Sequence, residues 1–366
     1  MRHSGWSTDN PVLHSFGQIS AGLVNELMAD EAAVINLHWV SDILSIRDIG
    51  RLTKPVVWTL HDMWAFCGGE HFAPDDAAAR FRLGYRADNR PMGERGPDLN
   101  RQTWEAKRRA WARQRFTIVS PSRWLADCAR KSVLFADAAI HVISYALDTA
   151  NTWKPIAPEA ARVALGLPLE KKLILMGAQG GLTDPRKGAD LLRDAFGQVV
   201  AHPCNVALIV YGQTRPIAQQ NWPCDVHWLG EVNDDRILAL ANSAADVVLV
   251  PSRQDNLPLT AVEAQACGTP VVAFDVGGLP DIVAHRATGW LAKPFDTEDL
   301  AQGILWVLDD ASRWLSLKRA ARERAVERFA PQTIAKQYCQ VYEEVVQTPG
   351  VSRLGDIRGV EKSAIL

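Results

Sequence analysis

Residues 247–278 read VVLV PSRQDNLP LTAVEAQACG TP VVAF DVGG. Val247–Val250 and Val271–Phe274 are unbroken apolar runs without polar alternation, the pattern of strands covered on both faces. Between them Thr260–Cys267 has helix composition. Pro258 suits the edge of a helix start and Gly268 suits its stop. Strand, helix and strand in this order, with continuous apolar strands, indicate a parallel sheet with helices on its faces.

The alternation extends in both directions. In the second half it predicts further strands at Lys172–Met176, Val206–Tyr211 and Val226–Leu229, and helices at Gly188–Val200, Asp234–Ala244 and Thr297–Asp309. In the first half it predicts strands at Ala33–His38, Pro55–Leu60, Thr117–Ser120 and Ala139–Ser144, with helices at Ile43–Leu52 and Arg123–Lys131. Asp148–Gly166 contains Pro155 and Pro158, breaks the rhythm, and is read as the linker. The expected architecture is α/β: two Rossmann-like, doubly wound parallel-sheet domains, residues 1–150 and 151–330. They are expected to face a cleft at the carboxyl ends of their strands, where open α/β sheets bind ligands. Ala330–Val346 reads as a final helix; residues 331–347 are expected to return to the first domain and 348–366 to form a loose tail.

At 366 residues the chain exceeds the usual domain of roughly 100–200 residues, in keeping with two cores. A net charge of −2 gives no basis for a nucleic-acid partner. The six cysteines are scattered without a C-x-x-C pair, which fits reduced thiols in a cytoplasmic protein and no zinc knuckle. No apolar run approaches the roughly 18 residues of a membrane span. The thirteen tryptophans are read mainly as core and domain-interface packing, with sugar stacking as the other use.

The loop and helix after Val250 carry the chemistry. The free N–H groups of a helix's first turn can donate to phosphate oxygens. Thr260 either caps this helix or adds a hydroxyl to that site. Glu263, about a turn further in, is either a solvated helix residue or the acceptor for a vicinal diol such as ribose. Asp255, in the loop, is placed to do the same for a sugar ring. The pair Gly277–Gly278 allows close backbone approach to a ligand at the next strand end. Met176–Gly188 (MGAQGGLTDPRKG) is a second strand-to-helix loop that matches neither a P-loop nor G-x-G-x-x-G.

Asp255 and Glu263, with seven residues between them, and the run A-x-A-C-G-T-P-V-V-A that follows resemble the E-x7-E signature of retaining, family 4 glycosyltransferases of the GT-B fold (glycosyl transferases group 1). The resemblance covers roughly residues 15–345. It implies an activated-sugar donor, with Asp255 on the sugar, Glu263 on the ribose, and Lys187 with Arg186 on the diphosphate. Cations there would meet the negative charge that accumulates on a departing nucleoside diphosphate. It also places Asn256, Leu257, Leu259, Thr260, Gly277 and Gly278 around the donor, and the base against backbone near Gly230. Two departures stand out. The first acid is Asp255 rather than Glu, and Asn256-Leu257-Pro258 replaces G-F-G, with Pro258 lacking an N–H. No D-x-D occurs, so no metal or other cofactor is expected. The resemblance implies a nucleotide-sugar co-substrate, expected to be UDP- or GDP-linked, while the residues themselves leave UDP, GDP and ADP open. Helix N-termini and cations can serve the diphosphate without metal.

In the first domain, His61 resembles the family histidine that meets the donor sugar from the acceptor side. Asp62 is read as orienting His61 or capping the next turn, and His38 and Trp39 as lining the acceptor side or simply ending a strand. Ser122 reads as a helix N-cap. The strand and glycine-rich turn that relatives place before the equivalent of Ala33–His38 are not found, which leaves a complete transferase open. Trp104–Phe116 (WEAKRRAWARQRF) is basic and aromatic, and is read either as a solvated helix or as a contact with an anionic inner-membrane surface. The expected activity is hexosyl or related transfer to a glycan or lipid-linked glycan in surface-polysaccharide assembly. The alternatives are a non-catalytic nucleotide-sugar binder and a sugar-nucleotide epimerase.

Overall fold

The computed structural model describes residues 5–177, 184–201, 205–214 and 222–347. The chain divides into two compact units. Unit 1 comprises 5–120, 127–141 and 337–347, and unit 2 comprises 121–126 and the described residues of 142–336. The expected tail, 348–366, lies outside the described residues, as do Ala178–Thr183 of the Met176–Gly188 loop.

Unit 1 is built on a sheet of β1 (Ile35–Leu37), β2 (Val56–Thr59), β3 (Phe116–Ser120) and β4 (Ala139–Val142), in that spatial order. Ile35 pairs with Val56 and Val56 with Phe116, both in parallel ladders. Every residue of β2 is buried, as its unbroken apolar run requires. The helix expected at Ile43–Leu52 shrinks to Ile46–Ile49. Asp42 turns the chain with φ of 63°, and Ser45 and Asp48 form a reciprocal capping box that fixes the helix start three residues late.

The basic, aromatic segment is also corrected. Its helix runs Leu99–Ala110, and Phe116 already opens β3. Trp104, Lys107 and Trp111 are buried, so the aromatic anchors that a membrane contact would use face the core of unit 1.

Unit 2 adds β5 (Lys172–Gly177), β6 (Val206–Tyr211), β7 (Asp225–Gly230), β8 (Val247–Val250), β9 (Val271–Phe274) and β10 (Gly289–Ala292). Their spatial order is β7-β6-β5-β8-β9-β10, and every pairing is parallel. This is the doubly wound order, with the switch between β5 and β8, where the carboxyl ends of adjacent strands diverge into opposite crossovers. The loops after β5 and β8 therefore start side by side.

Several elements of unit 2 were not expected. The presumed linker contains a helix, Pro158–Leu165: Pro158 occupies its first turn and Gly166 ends it in the left-handed conformation. β10 reads GWLA, without the β-branched run that marks β8 and β9, and exists through its ladder with β9. The Ala311–Phe329 helix is mostly polar. Its buried residues Leu317, Ala321, Ala325 and Phe329 recur at every fourth position, a narrow stripe. No helix among the described residues is long and apolar enough to cross a membrane.

Candidate functional site

The two switch-point loops of unit 2 are locked together. After β5, Asp184 caps a short 3-10 turn, Pro185–Lys187, and Gly188 leaves it with φ of 68°. A side chain at Gly188 would meet the Pro251 carbonyl at 2.0 Å, so only glycine lets the loops touch. Arg253 ties them further. Its N–H donates to the Arg186 carbonyl (2.7 Å), and its guanidinium donates to Asp190 (2.7 and 2.6 Å) and to the Pro185 carbonyl (3.0 Å).

The consequence is a Lys187–Asp255 ion pair of 2.7 Å, with both side chains mostly buried. Thus the cation expected for the diphosphate and the acid expected for the sugar share one site. Arg186 does not stand beside them as a second cation: its guanidinium turns back to Asp184 at 2.7 Å.

The helix that follows runs Leu259–Ala266, not Thr260–Cys267, with Pro258 at its N-cap and no side-chain cap. Thr260 therefore does not cap. Its N–H and that of Leu259 lie in the first turn, ahead of the helix's own ladder. Leu259 is exposed, whereas Leu257 is buried in the hydrophobic core of unit 2, so its side chain is not available to a donor. Asn256 is buried as well. It accepts a 2.7 Å bond from Ser122 Oγ, which also accepts from the Leu125 N–H and so does cap its helix.

Gly277 and Gly278 make their close approach to protein rather than to open space. Side chains there would lie 2.1 Å from the Asp255 carbonyl and 1.6 Å from that of Asn256. The Gly278 N–H also donates to the Asp255 carbonyl (3.1 Å). The glycine pair thus props the loop that presents Asp255. Asp281, shortly after, accepts from the Arg123 N–H at 2.7 Å and from its guanidinium. Gly230 ends β7 with φ of 74°, where a side chain would meet nothing within 4 Å.

Glu263 has no hydrogen-bond partner among the described residues. Burial, with Asp235 adding like charge, pushes its carboxyl up to about 7. Nearby, Tyr211 at the end of β6 lies over Gly177, where any side chain would collide with its ring at 1.8 Å. Burial and the Glu263 charge hold the Tyr211 phenol above its usual range. A carboxyl kept waiting without donors suits a ligand that brings hydroxyls.

A pH dependence follows. The folded chain keeps a proton on Glu263 that the unfolded chain releases, so this residue's contribution to stability falls as pH rises from its ordinary 4.5 towards 7. A diol that donates to the carboxylate has the opposite dependence: its binding expels the proton. Affinity for a ligand presenting such a diol, measured by calorimetry, is expected to tighten between pH 6 and about 8 and to flatten in Glu263→Gln. A wild-type profile as flat as that of the variant would separate Glu263 from the ligand.

Unit 1 carries the second group of expected residues. His61 follows β2, and its Nε2 lies 3.0 Å from His38 Nδ1. Burial and His38 pull the His61 imidazole below its usual value, with Asp62 opposing. Asp62 does not orient His61. Its Oδ1 accepts from the Trp64 N–H (2.8 Å), capping the turn, and its Oδ2 meets His71 Nδ1 (2.6 Å).

His71 and Ser15 are residues the sequence reading missed. Leu13–Ser15 runs antiparallel to Gly69–His71, with Ser15 N–H on the Gly69 carbonyl (2.7 Å) and His71 N–H on that of Leu13 (3.0 Å). This sets Ser15 Oγ 2.9 Å from His71 Nε2. No motif spans positions so far apart. The only sequence signal was a histidine in a loop after a strand.

Residues 172–310 match the model of the glycosyl transferases group 1. Over this stretch of unit 2, the chain is similar to the glycosyl transferases group 1. A D-inositol 3-phosphate glycosyltransferase of Jonesia denitrificans is 34% identical over 220 residues, which cover 56% of this chain and 51% of the relative. That of Mycobacteroides abscessus is 36% identical over 199 residues, covering 51% and 43%. The chain thus spans about half the length of the curated relatives it matches. Among solved structures, sucrose-phosphate synthase from Thermosynechococcus elongatus aligns with a TM-score of 0.64 at 22% identity, over 86% of this chain and 73% of the other. Anabaena HepE in complex with UDP aligns at 0.63 and 19%, over 88% and 82%. At these identities the likeness is one of fold, and that fold is the GT-B arrangement of two Rossmann-like parallel-sheet domains.

Proposed function

We propose that this chain is a group 1 glycosyl transferase that moves a hexose or related sugar, with retention, from a nucleotide-linked donor to a glycan or lipid-linked glycan in the cytoplasm. The observation that carries the reading is the Lys187–Asp255 pair at the β5/β8 switch point, on the same loop-helix segment as an unpartnered Glu263. A donor's diphosphate takes Lys187 from Asp255, which frees the Asp255 carboxylate for sugar hydroxyls. Glu263 takes the ribose diol. The glycosyltransferase activity of the relatives and the UDP held by HepE support a nucleotide-sugar donor, with UDP as the first nucleotide to test.

The test is a thermal-shift panel of UDP-, GDP- and ADP-sugars. Stabilisation of roughly 2.7 kcal/mol is expected at a ligand concentration 100 times Kd. Silence across the whole panel would sink the reading. His61→Ala is expected to leave donor stabilisation unchanged and to lower transfer, scored with a radiolabelled donor. Equal transfer by the variant would take His61 out of the reaction.

A further inference from the structure

Trp39 is 46% exposed, yet nothing about it is loose. Its indole lies nearly parallel to the His71 imidazole, with ring centroids 4.7 Å apart and planes 22° apart. That imidazole is itself held at both nitrogens, by Asp62 at 2.6 Å and by Ser15 at 2.9 Å, so it cannot turn away from the indole. The backbone is held on either side. The Trp58 indole donates to the His38 carbonyl (3.3 Å), and the Val40 carbonyl accepts from the Ile43 and Leu44 N–H groups (3.1 and 3.0 Å). Asp42 adopts φ of 63° to close this turn, a conformation that a non-glycine residue takes at some cost.

The same small pocket of unit 1 contains His38, Ser41 and His61 beside Trp39. A flat aromatic surface, half open to water, rigidly backed, and rimmed by imidazoles and a hydroxyl has a definite chemical complement. The ligand presents an apolar face of axial C–H groups to the ring and hydroxyls at its edge. Aromatic rings with a polar surround serve such amphipathic surfaces well.

We propose that Trp39 is the platform of a pyranose-binding subsite on unit 1, with His38, Ser41 and His61 meeting the ring hydroxyls. That the bound ring belongs to the acceptor rests on the reading proposed above. That a ring binds does not. Asp62, His71 and Ser15 are positioning residues: they fix the surface on which Trp39 rests.

Saturation-transfer NMR tests the subsite, with the full chain, no nucleotide present, and methyl α-glucopyranoside, α-mannopyranoside and α-galactopyranoside as probes. At least one probe is expected to receive saturation mainly on the C–H protons of one ring face. Trp39→Ala is expected to bind it about ten-fold more weakly, the equivalent of about 1.4 kcal/mol. Trp39→Phe should retain more binding than Trp39→Leu, because leucine keeps apolar volume without a ring. This comparison decides the matter if the alanine variant melts early. No signal from any probe with the wild type, or equal binding by the phenylalanine and leucine variants, overturns the platform. Stabilisation by UDP-glucose is measured on the same preparation. Its presence beside a silent NMR experiment refutes only the platform. Its absence beside a Trp39-dependent signal refutes only the nucleotide reading.

Discussion

Glu263→Ala is expected to weaken UDP-glucose binding about 100-fold while leaving the protein at least as stable as before. Hydrogen bonds to a charged group are worth roughly 1.5–3 kcal/mol each, and a ribose diol offers two. A loss of about 2.8 kcal/mol, or 100-fold, sits at the low end of that sum. The stability side has the opposite sign. Burial and Asp235 push the Glu263 carboxyl up to about 7, so near neutral pH the fold holds its charge at a cost. Alanine removes that cost and is the better helix former in the Leu259–Ala266 helix. A residue kept for structure would lose stability on truncation, whereas one kept for a ligand loses binding alone, which is the usual trade at a functional site. Calorimetric titration and a melting curve on one preparation read both quantities. Unchanged affinity, or lost affinity accompanied by a lower melting temperature, would count against the ribose assignment.

Lys107→Met is expected to destabilise unit 1 by about 2–3 kcal/mol, within the roughly 1–3 kcal/mol cost of leaving a buried acceptor without its donor. Lys107 is fully buried in the Leu99–Ala110 helix, and its ammonium donates to the carbonyls of Trp64, Cys67 (3.1 Å) and Gly68 (2.7 Å). The Trp64 ring lies 3.7 Å away, adding a cation–π contact. Burial drags the ammonium down to about 7, a cost these acceptors offset. Methionine fills the volume but leaves three carbonyls in the interior without donors. Those carbonyls belong to the loop that follows β2 and carries His61, Asp62 and His71, and whose ends are joined by the Met63 N–H to His71 carbonyl bond of 2.9 Å. The variant should therefore lose order in this loop. Urea unfolding followed by tryptophan fluorescence would show an earlier transition, and hydrogen exchange would locate it at 61–71. Unfolding at the wild-type urea concentration would show that the loop holds without its internal cation.

Much of unit 2 was legible because the relevant signals are local. Val247–Val250 and Val271–Phe274 announce buried strands by having no polar alternate, and each was found where it was read. Asp255 and Glu263 were singled out by spacing, and Lys187 by its place in a strand-to-helix loop. Leu257 and Arg186 each make a contact that sequence position does not announce. Sequence position put both beside the donor, but neither the core contact of Leu257 nor the Asp184 partner of Arg186 is visible in spacing. Thr260 lost its cap role because Pro258, fixed in φ, starts the helix one residue early.

By itself, then, the sequence determined the α/β class, the strands with continuous apolar runs, and the helix behind Asp255. Those properties depend on neighbours within about a dozen residues. Only the tertiary structure decided which distant groups meet. Lys187 reaches Asp255 because β5 and β8 are adjacent in the sheet although β6 and β7 separate them along the chain. Ser15 reaches His71 because two loop segments pair antiparallel, and Lys107 reaches three carbonyls because one helix face is buried against a loop. Hydrophobic burial is insensitive to partner identity, so a pattern of apolar residues is enough to specify it. A hydrogen bond or ion pair needs a particular atom within about 3 Å, and that position is set by the strand order and loop packing of the whole fold.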